Sequence, residues 1–257
     1  MVESVDAPCA LQGRIAQIAE RRRFGGAPLG HAPLDAAIGG GLARGRLHEL
    51  FAATPEDGGS AAGFAAMLAR LSAPGDAPLV WLRPQDAERQ GGQLHAPGLA
   101  EIGVDPARLL LILLPDPVAL LRAAADVVRC TELGAAVIEL WRNPRALDLT
   151  ASRRLALAAE ASGVTTLLLR VEAEPAPSAA QTRWSIAAAP SRALDANAPG
   201  LPAIDVQLLR QRGRPDGGRW RLEWDRDRVC FREAPFSGAV VSPAAGRSLA
   251  GDARRHA

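Results

Sequence analysis

Apolar residues recur along this chain in short unbroken runs and in longer stretches spaced three or four positions apart. Leu47 to Ala52 (LHELFA) reads as a strand, and Thr54 to Gly59 as a loop punctuated by Pro, Asp and two Gly. Ser60 is then expected to cap a helix with Phe64, Met67, Leu68 and Leu71 on one face. Further strands follow at Leu79–Leu82, Leu109–Leu114, Ala135–Leu140 and Val164–Arg170. Their continuous apolar character, Leu109–Leu114 included, predicts strands buried within a parallel sheet. Helices are predicted between them: a short one at Pro97–Ile102, then Pro117–Arg129 with Leu120, Leu121, Ala124 and Val128 inward. A third is capped by Thr150, runs through Ala161 and stops at Gly163. Strands alternating with helices of this length predict right-handed βαβ units and an α/β sheet covered on both faces.

Outside this core the pattern changes. Leu34–Ile38 is a short helix ended by three glycines, and Arg83–Gly98 is polar and loop-like. After a Pro/Ala-rich loop at Glu172–Ala180 the period drops to two. Thr182–Ala188, Ile204–Arg210 and Arg219–Arg232 are expected to be antiparallel strands, the last folded into a hairpin around Asp225-Arg226-Asp227. Leu11 to Arg23 places Leu11, Ile15 and Ile18 at helical spacing ahead of a Gly-Pro linker, and from about Ser237 periodicity is lost. The expected division is a helix and linker over 1–28, a core over 29–236 and a disordered tail over 237–257.

Composition narrows the function classes. The 30 basic residues are all Arg, the chain contains no Lys, and the net charge is +2. This fits coding bias in a GC-rich bacterial genome and does not mark a nucleic-acid binder. Cys9, Cys130 and Cys230 form neither a disulfide framework nor a zinc pattern, which fits a reducing cytoplasm. Cys130 is expected in the core. The longest apolar run is too short for a bilayer, and Met1–Ala10 lacks the apolar segment of a signal peptide.

The candidate chemistry centres on Arg46–Leu71. Strand, glycine-bearing loop and helix is the architecture that presents amides to a phosphate. Here the loop runs Gly58, Gly59, Ser60, Ala61, without the lysine that contacts outer phosphates or the Ser/Thr that follows it to reach magnesium. Arg70 lies nearly three turns downstream and points away. Glu139, at the end of its strand, is either a vestigial magnesium-linked carboxylate or a structural group, and the second is favoured. No carboxylate stands at Arg83-Pro84-Gln85 to activate water, while Asp86 and Glu88 are out of line. Arg170 could face a phosphate or pair with Glu172, the pairing being favoured. Arg210, Arg212, Arg214, Arg219 and Arg221 interleave with Trp220 and Trp224, a mixture that contacts single strands or a partner, or simply solvates one strand face. His31, His48, His95 and His256 lack ligand spacing, and Asp148 to Arg154 is explained by helix capping.

Several strings carry a resemblance. LDAAIGGGLARGRLHEL (34–50) and EIGVDPARLLLILLPDPVALLRAAADVVRCTELGAAVIEL (101–140) resemble the lead-in and central section of the RecA-type recombinase core. ELWRNPRALDLTASRRLALAAEASGVTTLLLR (139–170), the later RW…APS and GRWRLEWDRDRV elements, and SAAGFAA in the degenerate loop resemble the ImuA family. That resemblance implies a RecA-like P-loop fold with a mostly parallel sheet and antiparallel strands near the C-terminus. It implies an accessory role in SOS-induced translesion synthesis, in the bacterial cytoplasm beside the nucleoid. The implied partners are an ImuB-like Y-family protein and an error-prone replicative-type polymerase, with RecA, weak single-stranded DNA contact and self-association through the first helix as further expectations. No enzyme activity, ATP, magnesium or other cofactor is expected. The alternatives are an ATP-dependent DNA-binding ATPase and a SulA-like inhibitor of cell division.

Overall fold

The computed structural model describes residues 25–198 and 200–234. The expectations for Leu11–Arg23 and for a tail from Ser237 lie outside these residues. In chain order, β1 (Gly26–Ala27) and β2 (Leu42–Ala43) form a small antiparallel pair around α1 (Ala32–Ile38). Then come β3 (Leu47–Ala52), α2 (Gly58–Ser72), β4 (Leu79–Pro84), and the short α3 (Ala87–Gly91) and α4 (Ala96–Glu101). They are followed by β5 (Leu109–Leu114), α5 (Pro117–Val127), β6 (Ala135–Trp141), α6 (Leu149–Ser162) and β7 (Thr165–Val171). The chain closes with β8 (Thr182–Ala189), β9 (Ala203–Gln211), β10 (Arg219–Asp225) and β11 (Cys230–Glu233).

Nine strands make one sheet in the order β11-β10-β9-β8-β3-β7-β6-β4-β5. From β5 to β8 every neighbouring pair is parallel, and from β8 to β11 every pair is antiparallel. The first period-two strand therefore differs from expectation: β8 runs parallel to β3 and antiparallel only to β9. A long connection over residues 172–181 lets the chain re-enter beside β3 in the same direction, and the hairpins begin one strand later.

Alternation across the pleat divides the core in two. Leu50, Trp81, Val137, Leu169, Trp184, Val206 and Trp224 face α2, which inserts Phe64, Met67 and Leu68 between them. Each such side chain contributes about 1.5–3 kcal/mol by leaving water. Phe231 joins the antiparallel strands to this cluster, with ring centroids 5.3 Å from Phe64 and 4.8 Å from Trp224. On the other face, Leu82, Ile138, Leu140 and Leu168 pack under α5 and α6 through Leu120, Ala124, Val128 and Leu155.

Several local expectations are corrected. Ala27 and Leu29 are fully buried and β1 pairs with β2, so the Gly-Pro stretch belongs to the folded unit and is not a linker. Gly41, at φ 132°, brings its backbone so close to Ala27 that an added Cβ would lie 2.4 Å from that carbonyl oxygen. β5 is not interior: it has β4 as its one neighbour and leaves Leu110 58% and Leu113 41% exposed. The cap of α6 is Asp148, which accepts from the Ala151 amide at 2.7 Å, and not Thr150. Cys130 lies past the end of α5 and is exposed, not in the core. Among the described residues, no helix is long and apolar enough to cross a membrane.

One buried polar chain ties the first parallel strand to the antiparallel extension. The Trp184 indole donates to the Thr182 hydroxyl at 2.7 Å, and that hydroxyl lies 2.7 Å from His48 Nδ1. His48 Nε2 lies 2.8 Å from the Ala43 carbonyl. A neutral ring protonated at Nε2 satisfies the chain, with Thr182 donating to Nδ1. Burial, helped by nearby Arg46 and opposed by the Ala43 carbonyl, lowers His48 to about 4 from 6.5. The unfolded state therefore takes up a proton that the folded state refuses. The resulting stability is fully present above pH ~6.5 and lost as pH falls towards ~4, about 3 kcal/mol across that window. Urea unfolding at a series of pH values is expected to show this decline, with a shallower one in His48→Gln; identical slopes would contradict it.

Candidate functional site at the carboxyl ends of the parallel strands

In an α/β sheet ligands gather where loops leave the carboxyl ends of parallel strands. Here that region holds a cavity of about 520 Å³ between the start of α2, β4, β6, β7 and the segment after β8. Its lining includes Gly58, Gly59, Ser60, Met67, Trp81, Arg83, Glu139 and Trp141.

The α2 entrance differs from the expected glycine loop. A 3₁₀ turn over Pro55–Asp57 runs directly into the helix, so Gly58, Gly59 and Ser60 are its first residues and not a loop. Ser60 caps nothing; Asp57 holds the N-cap position. The Asp57 carboxylate accepts from the Ala188 amide at 2.7 Å and from the Thr54 hydroxyl at 3.2 Å, fastening the turn to β8. Glu56 stands beside it, its carboxyl held below the usual range by its own amide and by the Thr54 hydroxyl. Two carboxylates thus complement the positive end of the helix where a phosphate-binding fold would receive the ligand's own charge.

Glu139 is 3% exposed and takes three donors. The Trp81 indole donates to Oε2 at 2.9 Å, the Trp141 indole to Oε1 at 2.9 Å, and Arg83 Nη2 to Oε1 at 3.0 Å. The same guanidinium donates through Nη1 to the Gly92 carbonyl at 3.0 Å, which ties the loop after α3 over the strand ends. Arg83 is the one guanidinium among the described residues lining the cavity; its two terminal nitrogens are committed to these acceptors, and its Nε is buried without a partner. Magnesium-bound triphosphate does not fit this set. The chain has no lysine, the small residues at the start of α2 follow two acids, and the carboxylate that could bear on a metal is saturated by indoles and a guanidinium.

The opposite face of the sheet carries a second buried carboxylate. Glu49 accepts from Arg183 Nε at 2.8 Å and from the Ser178 hydroxyl at 2.6 Å, with Arg170 Nη1 at 3.9 Å. Arg170 and Arg183 lie over the Phe51 ring at 5.6 and 5.4 Å. Arg170 also donates to the Arg142 carbonyl and to Asn143 Oδ1. Burial pulls it below the ordinary guanidinium value against the attraction of Glu49, with Arg183 adding to the fall. The expected Arg170–Glu172 pairing does not occur. Glu172 turns away at φ 53° and meets Arg142 at 2.9 Å.

No family model matches the chain. Over 203 residues it is 36% identical to Protein ImuA of Caulobacter vibrioides, strain NA1000 / CB15N, covering 74% of this chain and 73% of that protein. Protein ImuA of strain ATCC 19089 / CIP 103742 / CB 15 matches equally. The chain belongs to the ImuA family. The crystal structure of the RadB recombinase superposes on 81% of this chain and all of its own, with TM-score 0.54 and 13% identity, which shows a shared RecA-like fold.

The five arginines of this ImuA-family chain do not converge. Arg210 is exposed near the end of β9, and Arg212 and Arg214 are exposed in the turn that leads to β10. Arg219 donates to Gln207 at 2.8 Å, and Arg221 grips Asp205 with two 2.8 Å bonds that raise its pKa above the ordinary value. Trp224 is buried on the opposite face. His31 and His95 cap α1 and α4 through Nδ1. Among the described residues no group of His, Cys, Asp or Glu could hold a metal ion. Sequence reading missed Trp81, Arg83, Trp141 and the Glu49 cluster. Their signal was alternation: Trp81 and Arg83 share a strand face, as do Glu139 and Trp141.

Glu139→Ala is expected to destabilise the fold by about 3–5 kcal/mol, because it strands a buried guanidinium. Arg83→Met/Glu139→Leu should cost far less than the two single truncations summed. Urea unfolding of the four proteins measures the coupling, and strictly additive losses would contradict it.

Proposed function

We propose that this protein is a non-catalytic adaptor in damage-induced translesion synthesis, a recombinase scaffold whose nucleotide end has become packing. The observation that carries the non-catalytic part is the saturated Glu139, held by Trp81, Trp141 and Arg83 in the cavity where phosphates and magnesium would sit. The carboxylates of Glu56 and Asp57 at the start of α2 support the same reading, since they repel a triphosphate approaching Gly58 and Gly59. Membership of the ImuA family supports the place in error-prone DNA synthesis.

The adaptor works through its surfaces. Its partners are an ImuB-like Y-family protein and an error-prone replicative-type polymerase, with RecA as a further contact, in the bacterial cytoplasm at the nucleoid. Exposed Arg210, Arg212 and Arg214 add weak contact with single-stranded DNA, and the sequence over 11–23 supplies self-association.

Purified full-length protein should bind the ImuB-like protein of its own organism in surface plasmon resonance. Its Kd is expected to stay within about twofold when magnesium and ATP are added. Binding that requires ATP, or capture of the cell-division GTPase in place of the ImuB-like protein, would overturn the reading.

A further inference from the structure

Helix α5 presents a second stripe beside the one it buries. Leu120, Ala124 and Val128 face the sheet, whereas Val118, Leu121, Arg122, Ala125 and Arg129 follow one another at helical spacing along the flank that looks towards α6. Between this flank and Ala151, Arg154 and Leu155 of α6 runs an open groove of about 540 Å³. Its floor is apolar, with Val118 left 47% exposed. Its rim is basic. Arg122 and Arg154 are exposed and make no ion pair among the described residues, and Arg129 is met only by Asp126 of the same helix at 3.0 Å.

From this groove we infer a docking site for an amphipathic helical segment of another protein, with apolar residues inward and carboxylates along both flanks. Three features select that occupant. The floor asks for apolar side chains repeating at helical spacing, because its own Val118, Leu121 and Ala125 do so over about two turns. The two unmatched guanidinium groups ask for carboxylates, which they hold in bidentate fashion. The chain's own termini do not supply them: residues 1–24 carry three acids against four arginines, and residues 235–257 one acid against three. A nucleic-acid strand is the poorer match, since an apolar floor and Asp126 lie where its phosphates would run. The site is on the opposite face of the sheet from α2 and stands whether or not the cavity beside Gly58 takes a nucleotide.

The test uses the full chain and three labelled probes in fluorescence anisotropy. One is a helical peptide of about 20 residues with leucines at i, i+3, i+4 and i+7 and glutamates between them; the second replaces glutamate with lysine. The third is a single-stranded oligothymidine. The glutamate peptide should bind, the lysine peptide should not, and Arg122→Glu/Arg154→Glu should weaken binding about tenfold or more. Val118→Asp should weaken it as well. Both arginines are exposed, so the melting temperature of the double variant should be unchanged. Failure of the glutamate peptide to bind, equal binding of the lysine peptide, or an unchanged Kd in the double variant would overturn the site. Loss of oligothymidine binding alone in that variant would assign the groove to nucleic acid and overturn it too.

Discussion

A carboxylate taken out of water must be met by donors, and Glu139 is met by three. That requirement organises the carboxyl end of the parallel strands, where α/β sheets in general gather ligands. Trp81 and Arg83 must share a face of β4, Trp141 must follow Glu139 on β6, and the loop after α3 must close over Arg83 to offer the Gly92 carbonyl. Apart from the buried Arg83 Nε, which has no partner, these groups satisfy one another, so the cluster is stable only as a whole. Removing one member exposes the desolvation cost of the rest.

The same solution appears on the other face at Glu49, between Arg183 and Arg170 and beneath Phe51. There it serves the junction of parallel and antiparallel halves. Arg183 arrives from β8, Arg170 from β7 and Glu49 from β3, so one buried charge group spans three adjacent strands. The His48–Thr182–Trp184 chain reinforces that seam from the α2 face. Polar interactions thus fix the register of β8, while Phe64, Phe231 and Trp224 supply the apolar area that holds the last hairpin down. In the proposed adaptor these buried charged side chains serve to hold a shape.

Much of the fold was legible because its central strands are short apolar runs bounded by Gly, Pro or Asp, and α5 and α6 have one clear inward face. What stayed hidden depends on neighbours that a linear pattern does not record. LLLILL reads as interior, yet an edge strand and a central strand can share that string, and here only β4 flanks it. Asp148 and Thr150 are both capping residues, and the direction of chain entry chose the first. Cys130 followed from a helix expected to reach Arg129, whereas it ends at Val127. Arg170 and Glu172 are two apart and would share a strand face, but the turn at Glu172 breaks that relation and Glu49, distant in sequence, takes the guanidinium. In the site itself, the missing lysine and the degenerate Gly58–Ala61 segment were visible at once. The indole and guanidinium partners of Glu139 were not, because pairing across strands requires the register.

The central claim is that this carboxyl end holds itself together, with Glu139 and both terminal nitrogens of Arg83 engaged by protein partners and not by a triphosphate. Isothermal titration calorimetry of the full-length protein with magnesium and ATP tests it most directly. The account predicts no saturable heat up to about millimolar nucleotide, a binding free energy weaker than about −4 kcal/mol. Saturable, magnesium-dependent binding that weakens in Glu139→Gln would contradict it.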